Sequence, residues 1–175
     1  MAKIVAIRVI DRIKEAGHTQ DVLSKHSSII KTRLGFHELN EDRCSREGYI
    51  LLYLRDNAKG RSDFLKDLDK IYGIEIKEMN LLAGPVKPAS IPDGSAVTVV
   101  GLVVNNRSDI ASEVQRALTL YGCTIRTRMG INEEDHGHDT GLILLELKGD
   151  NSEMNSLLKR LEQIENVIVG VISFS

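Results

Sequence analysis

Five consecutive residues, Asp135-His136-Gly137-His138-Asp139, hold the densest set of metal-ligand types in the chain. Imidazole nitrogens and carboxylates suit zinc, nickel or another divalent ion. Two histidines one residue apart can close on one ion when a third ligand arrives from elsewhere, which makes His136 and His138 the candidate metal ligands. A solvated polar loop is the plainer reading of the same residues. Elsewhere in the chain the corresponding loop reads Arg43-Cys44-Ser45-Arg46-Glu47, without such a pair.

Arginines supply a second chemistry. Thr32-Arg33-Leu34-Gly35 occurs again as Thr127-Arg128-Met129-Gly130, each preceded by an isoleucine and a basic residue. A guanidinium beside a glycine presents a planar fork to a carboxylate or phosphate. Arg33 and Arg128, with Gly35 and Gly130, are therefore candidate ligand-binding residues. The structural alternative pairs these arginines with Glu38 and Glu133 across the following turn, or with the partner domain, and has the glycines releasing backbone strain where a strand leaves its sheet. Asp11-Arg12 and Asn106-Arg107-Ser108 precede helical patterns, and helix N-termini favour anions. Ser108 and Asp109 also serve as ordinary cap residues. No spacing of Ser, His, Asp or Cys demands a nucleophile, and no phosphate loop is present, so no catalytic residue is assigned.

The elements that must position these groups come from an internal repeat. At an offset of 95, Val5, Ile7 and Val9 fall on Val100, Leu102 and Val104, and Ala16, Gln20 and Leu23 fall on Ala111, Gln115 and Leu118. Beyond the shared motif the offset becomes 93, which places Gly48 on Gly141 and Phe64, Leu65, Leu68 and Ile71 on Leu157, Leu158, Leu161 and Ile164. Strands are expected at 3–10, 29–34, 48–55 and 74–80, with helices at 12–26, its apolar face carrying Ile13, Ala16, Leu23 and His26, and from an N-cap at Ser62 to Tyr72. The second copy repeats the order: strands at 97–104, 124–129, 141–148 and 167–174, a helix capped by Ser108 and stopped at Gly122, and a helix over 152–164. The order is βαββαβ, the ferredoxin-like arrangement. Pro85, Pro88 and Pro92 fall between the copies and argue against a regular element there. The expected domains are residues 1–81 and 97–175, joined by an extended linker over 82–96.

Charge and cysteine content narrow the function classes. The 175 residues carry 23 basic and 25 acidic groups. Segment 1–81 has 15 basic and 13 acidic groups and segment 97–175 has 7 and 11, giving +2 and −4. Neither half has the basic excess of a nucleic-acid module, so direct nucleic-acid binding is not expected. Cys44 and Cys123 read as two free thiols of a cytoplasmic protein. The stretch Met1 to Ile10 is broken by Arg8 and lacks a cleavage site, and no apolar run approaches a membrane span. Residues 49–54 and 97–104 are apolar at both parities. A sheet with helices on one face should alternate polar residues on the other. The helix-free face is expected to be covered, with the other copy as the candidate.

Tyr121-Gly122-Cys123-Thr124-Ile125-Arg126-Thr127-Arg128-Met129-Gly130-Ile131 resembles the iron-only hydrogenase system regulator family, whose members are short ACT-like domains. The resemblance covers the second copy, and more faintly the first. It implies a regulatory domain, and in ACT-like domains the loop between first strand and first helix often contacts an effector carboxylate. Two copies in one chain and the 135–139 cluster depart from the family pattern. The expected fold class is α+β: two tandem ferredoxin-like, ACT-like βαββαβ domains packed as an internal pseudo-dimer. The expected function is a non-enzymatic regulatory pair that senses a small anion or amino acid, or binds a protein partner. The alternatives are a ligand-free assembly module and a small enzyme using the interdomain cleft. Cofactors are expected to be none, a divalent metal at His136 and His138 excepted, and further homo-oligomerisation stays open.

Overall fold

The computed structural model describes residues 2–37, 39–40, 43–81, 90–132 and 139–175. They form two compact units, Met1–Asn80 and Leu81–Ser175. The first runs β1 (Ala2–Val9), α1 (Arg12–Lys25), β2 (Ile30–Phe36), a small hairpin of β3 (Leu39–Asn40) and β4 (Arg43–Cys44), β5 (Gly48–Leu54), α2 (Ala58–Leu68) and β6 (Ile74–Leu81). The second runs β7 (Val97–Asn105), α3 (Arg107–Leu120), β8 (Ile125–Asn132), β9 (Thr140–Leu147), α4 (Asn151–Glu162) and β10 (Val167–Phe174). The sheets have equivalent orders, β2-β5-β1-β6 and β8-β9-β7-β10. The hairpin aside, both units are the expected βαββαβ fold.

Alternation along each strand builds each core. In the first unit Val5, Ile7, Val9, Leu52 and Leu54 meet Leu23 of α1 and Phe64 and Leu68 of α2. In the second, Val100, Leu102, Val104, Leu145 and Leu147 meet Val114 and Leu118 of α3 and Leu157, Leu158 and Leu161 of α4. The intervening residues point to the opposite, helix-free face, and there Ile4, Ala6, Leu51, Tyr53, Val99, Val103, Leu142 and Leu144 are also apolar. In the first unit side chains close the helix pair at its rim. His26 rests against Phe64 with ring centroids 5.4 Å apart, and its Nε2 lies 2.8 Å from Asp67 Oδ2.

One irregularity recurs in both units. Ladder register shifts between Ile30 and Thr32, and again between Ile125 and Thr127. Each shift is a β-bulge at the basic residue before the Thr-Arg motif, and a bulge re-aims the side chains that follow. The bulge fixes which face Arg33 and Arg128 take. Arg33 then stands opposite Leu52, and Arg128 opposite Leu145. Both partners are core residues on the helix-bearing face.

Several boundaries differ from the sequence reading. Gly35 and Gly130 lie within strands, and neither has a positive φ, so neither releases strain. Ile13 is 75% exposed and Ala16 is exposed as well, while Thr19 and Leu23 form the buried stripe of α1. α2 begins four residues before Ser62 because Asn57 caps it, its side chain accepting from Gly60 N at 2.8 Å. α3 begins at Arg107, with Asn106 as N-cap at φ 52°, so Ser108 is inside the first turn. Gly122 opens a 3-10 turn without a positive φ. Asp150 caps α4 through Ser152 N and Glu153 N. The end of the expected linker belongs to the second unit. Ile91 is buried in that core, its N donates to Asn155 Oδ1 at 3.1 Å, and Ala96 N donates to Phe174 O at 2.7 Å.

Candidate functional site

Each unit opens a cleft at the same place, where the N-terminal half of the first helix passes over the edge strand. In the second unit the cavity measures about 590 Å3 and in the first about 230 Å3. The linings correspond position by position. Arg12, Gln20, Arg33 and Gly35 line the first, and their repeat equivalents Arg107, Gln115, Arg128 and Gly130 line the second. Val9 and Ile50 match Val104 and Ile143 as apolar walls. The lining thus joins the two stretches singled out in the sequence, the strand–helix junction and the arginine motif. It also includes a glutamine on the helix that the sequence reading passed over as a repeat match.

That glutamine orients the arginine. Arg33 Nη1 donates to Gln20 Oε1 at 2.6 Å, and Gln20 Nε2 donates to Ser24 Oγ at 3.1 Å. Arg128 Nη1 donates to Gln115 Oε1 at 2.7 Å, and Gln115 Nε2 donates to Thr119 Oγ1 at 3.2 Å. The fork is held by a neutral amide, so its positive charge is directed without being neutralised. Glu38 and Glu133, the carboxylates considered as partners, lie outside the described residues. Among the described residues lining either cleft there is no Asp or Glu.

The second arginine of each cleft is placed by main chain. Arg12 N donates to Arg46 O at 2.8 Å, and Arg107 N donates to Asp139 O at 2.9 Å, in equivalent positions. Arg12 Nε also donates to Ser45 O at 2.9 Å. A glycine stands first in β5 and second in β9, and a Cβ there would stand 3.6 Å from Arg12 Cδ at Gly48 and 3.1 Å from Arg107 Cδ at Gly141. The missing side chain at Gly141 lets Arg107 lie close across the strand, whereas the spacing at Gly48 is an ordinary contact.

The acidic groups are engaged beside the clefts. Asp11 accepts from Ile13 N at 3.2 Å as N-cap of α1 and pairs with Arg46 Nη2 at 2.5 Å. That ion pair first, with the helix amides, holds its carboxyl below the usual carboxylate range. Asp139 accepts from both the Oγ and the N of Ser108. Those bonds first, and the charge of Arg107, lower its pKa. The carboxylate that caps the first helix therefore comes from its own junction in one unit and from the following loop in the other. Asp11, Asn106 and Ser108 shape the rim and do not line the cavities. His136 and His138 lie outside the described residues, and among the described residues no group of three or more His, Cys, Asp or Glu could hold a metal ion.

Comparison with known proteins bears on the second unit. Residues 96–171 match the TM1266-like family, described as an iron-only hydrogenase system regulator. The second unit carries that family's signature. The match spans less than half of the chain, and it bears out the resemblance seen in the Arg-Met-Gly-Ile run. Among solved structures, the uncharacterized protein TM1266 from Thermotoga maritima is similar at 25% identity, over 45% of this chain and 96% of that one, with a TM-score of 0.42. The small subunit of acetolactate synthase from Thermotoga maritima is similar at 11% identity, over 100% of this chain and 98% of that one, with a TM-score of 0.38. The regulatory subunit of aspartate kinase from Thermus thermophilus is similar at 10% identity, over 93% and 91%, with a TM-score of 0.40. No curated protein matches the chain. No helix among the described residues is long and apolar enough to cross a membrane.

Proposed function

We propose that the chain is a non-enzymatic regulatory protein whose two ACT-like units each bind a small anion in the cleft under the first helix. The observation that carries this reading is the repeated Arg–Gln pair. Two guanidiniums face each cleft, and the best-placed one is held by an amide, which leaves its charge for a carboxylate or phosphate. The regulator family matched by the second unit supports the regulatory role. In this proposal the apolar helix-free face of each sheet is a covered surface, in keeping with its double-parity apolar strands.

A thermal-shift screen of small carboxylates and phosphates tests the binding. An anion present at 100 times its dissociation constant should stabilise the wild type by about 2.7 kcal/mol. The shift should shrink in Arg33→Gln or Arg128→Gln and vanish in the double variant. An undiminished shift in the double variant would remove these arginines from the site. An absence of shift across the screen would favour the protein-interaction reading. That second reading has one observation of its own. Ile10, Ile13 and Tyr72 are exposed, Tyr72 at 92%, and Ile10 N bonds Gly73 O at 3.0 Å, which brings Ile10 and Tyr72 to the same end of the first unit.

A further inference from the structure

The two clefts share their arginines and differ at two buried lining positions, Thr19 against Val114 and Tyr49 against Leu142. The Tyr49 hydroxyl donates to Glu47 Oε2 at 3.2 Å. Thr19 is 1% exposed and lines the first cleft. Its Oγ1 is buried without a hydrogen-bond partner among the described residues. The repeat places Val114 at the same position of the second cleft, where it is buried and joins the apolar core. A helical threonine ordinarily satisfies its hydroxyl on the carbonyl one turn back, and Thr119 does so, donating to Gln115 O at 2.8 Å. Thr19 does not. A buried polar atom left unpaired costs free energy and calls for an explanation, and here it belongs to a residue that borders a cavity presenting Arg12, Gln20 and Arg33.

We infer that positions 19 and 114 set different ligand preferences for the two clefts. The first takes a short carboxylate bearing a hydroxyl that pairs with Thr19. The second, roomier and with valine in that place, takes a carboxylate with a wholly aliphatic tail. The arginines supply affinity for the carboxylate in both, and the residue under the helix selects what the carboxylate carries. This inference rests on the anion-binding reading proposed above. It adds what that reading lacks, a reason for two copies of one site in a single chain.

The test is calorimetric titration of the full chain with butyrate, with 2-, 3- and 4-hydroxybutyrate, and with hexanoate. Arg128→Gln isolates the first cleft and Arg33→Gln the second. With the first cleft isolated, at least one hydroxybutyrate should bind about tenfold more tightly than butyrate, the weight of one buried hydrogen bond. Thr19→Val should abolish that preference, and Thr19→Ser should keep it. With the second cleft isolated, hexanoate should be preferred, and Val114→Thr should reverse the order toward the hydroxy acid. Equal binding of butyrate and every hydroxybutyrate, unchanged by Thr19→Val, overturns the inference and leaves anion binding intact. That outcome would assign the Thr19 hydroxyl to a resident water. Failure of every carboxylate and of inorganic phosphate to bind would overturn both readings together.

Discussion

Arg33 and Gln20 are joined by a 2.6 Å hydrogen bond from guanidinium to amide, between the edge strand and the first helix. Gln20 is aimed in turn by Ser24, so strand, helix and cleft are linked through one side-chain relay. Placing a carboxylate at the amide is the sharpest test of its neutrality. Gln20→Glu and Gln115→Glu should each keep the geometry, neutralise the neighbouring arginine and weaken anion binding at that cleft about tenfold or more. Stability should rise by no more than about 1 kcal/mol, since the new ion pair is exposed. Anion titration and chemical denaturation of the same variants check both statements, and unchanged affinity would show that the arginine charge does not drive binding.

Thr19 and Val114 also make opposite stability predictions in the absence of ligand. Thr19→Val removes a buried hydroxyl without a partner and should stabilise the protein by about 1 kcal/mol or more. Val114→Thr buries a new hydroxyl and should cost about 1–3 kcal/mol. Urea denaturation at fixed slope reads both. A destabilising Thr19→Val would mean that the hydroxyl is already satisfied.

The bulge residue meets a different partner in each unit. Lys31 Nζ lies 5.2 Å from the ring centre of Tyr53. At the equivalent place Arg126 Nη1 lies 3.5 Å from Oε1 of Glu146, a carboxylate that is 3% exposed. Thr127 Oγ1 donates to its other oxygen at 2.6 Å. Arg126→Ala leaves a buried carboxylate short of its cation and should cost about 2–3 kcal/mol, below the range for fully buried pairs because Arg126 is partly exposed. The cation–π contact that Lys31→Ala removes is worth about 0.5–1 kcal/mol, less than the ion pair of Arg126. Denaturation midpoints that place the two variants together, or reverse them, would contradict this ranking.

Asp67 ties the two helices of the first unit, accepting from Lys25 and Lys70 at 2.7 Å each and lying 2.8 Å from His26 Nε2. Lys25 first, then Lys70 and His26, hold its carboxyl far below the ordinary range. A carboxylate depressed by folding contributes stability above its unfolded pKa, about 3.9, and loses it as pH falls toward the folded value. Wild type should therefore exceed Asp67→Asn in Tm above pH 5, with the gap closing as pH falls from 4 toward 2. A gap unchanged at pH 2 would show that the ionised carboxylate is not its source.

The need to cover each apolar helix-free face predicts that segments 1–80 and 90–175, co-expressed as separate chains, associate with each other or with themselves. The second segment includes Ile91, which its core requires. Two soluble monomers with no association by sedimentation would sink that part of the proposal.

Much of this architecture was written in apolar periodicity and in the repeat. The eight principal strands, four helices and their order follow from where Val, Ile and Leu recur, because burial dictates those spacings whatever the surface residues do. Helix starts were less legible, since Asn57 and Asn106 begin α2 and α3 while Ser62 and Ser108, equally good caps by type, lie within them. A cap depends on where the chain enters the helix, which tertiary packing sets. The sequence by itself determined the arginines at the motif and at the strand–helix junction. It did not bring them to one cavity. That took the bulges at Lys31 and Arg126, which decide the face of the next side chains, and the crossing of α1 over β2, which brings Gln20 to Arg33. Thr19 was invisible in the sequence for the same reason. A threonine on a helix is unremarkable until the fold buries its hydroxyl beside a cavity and gives it no partner.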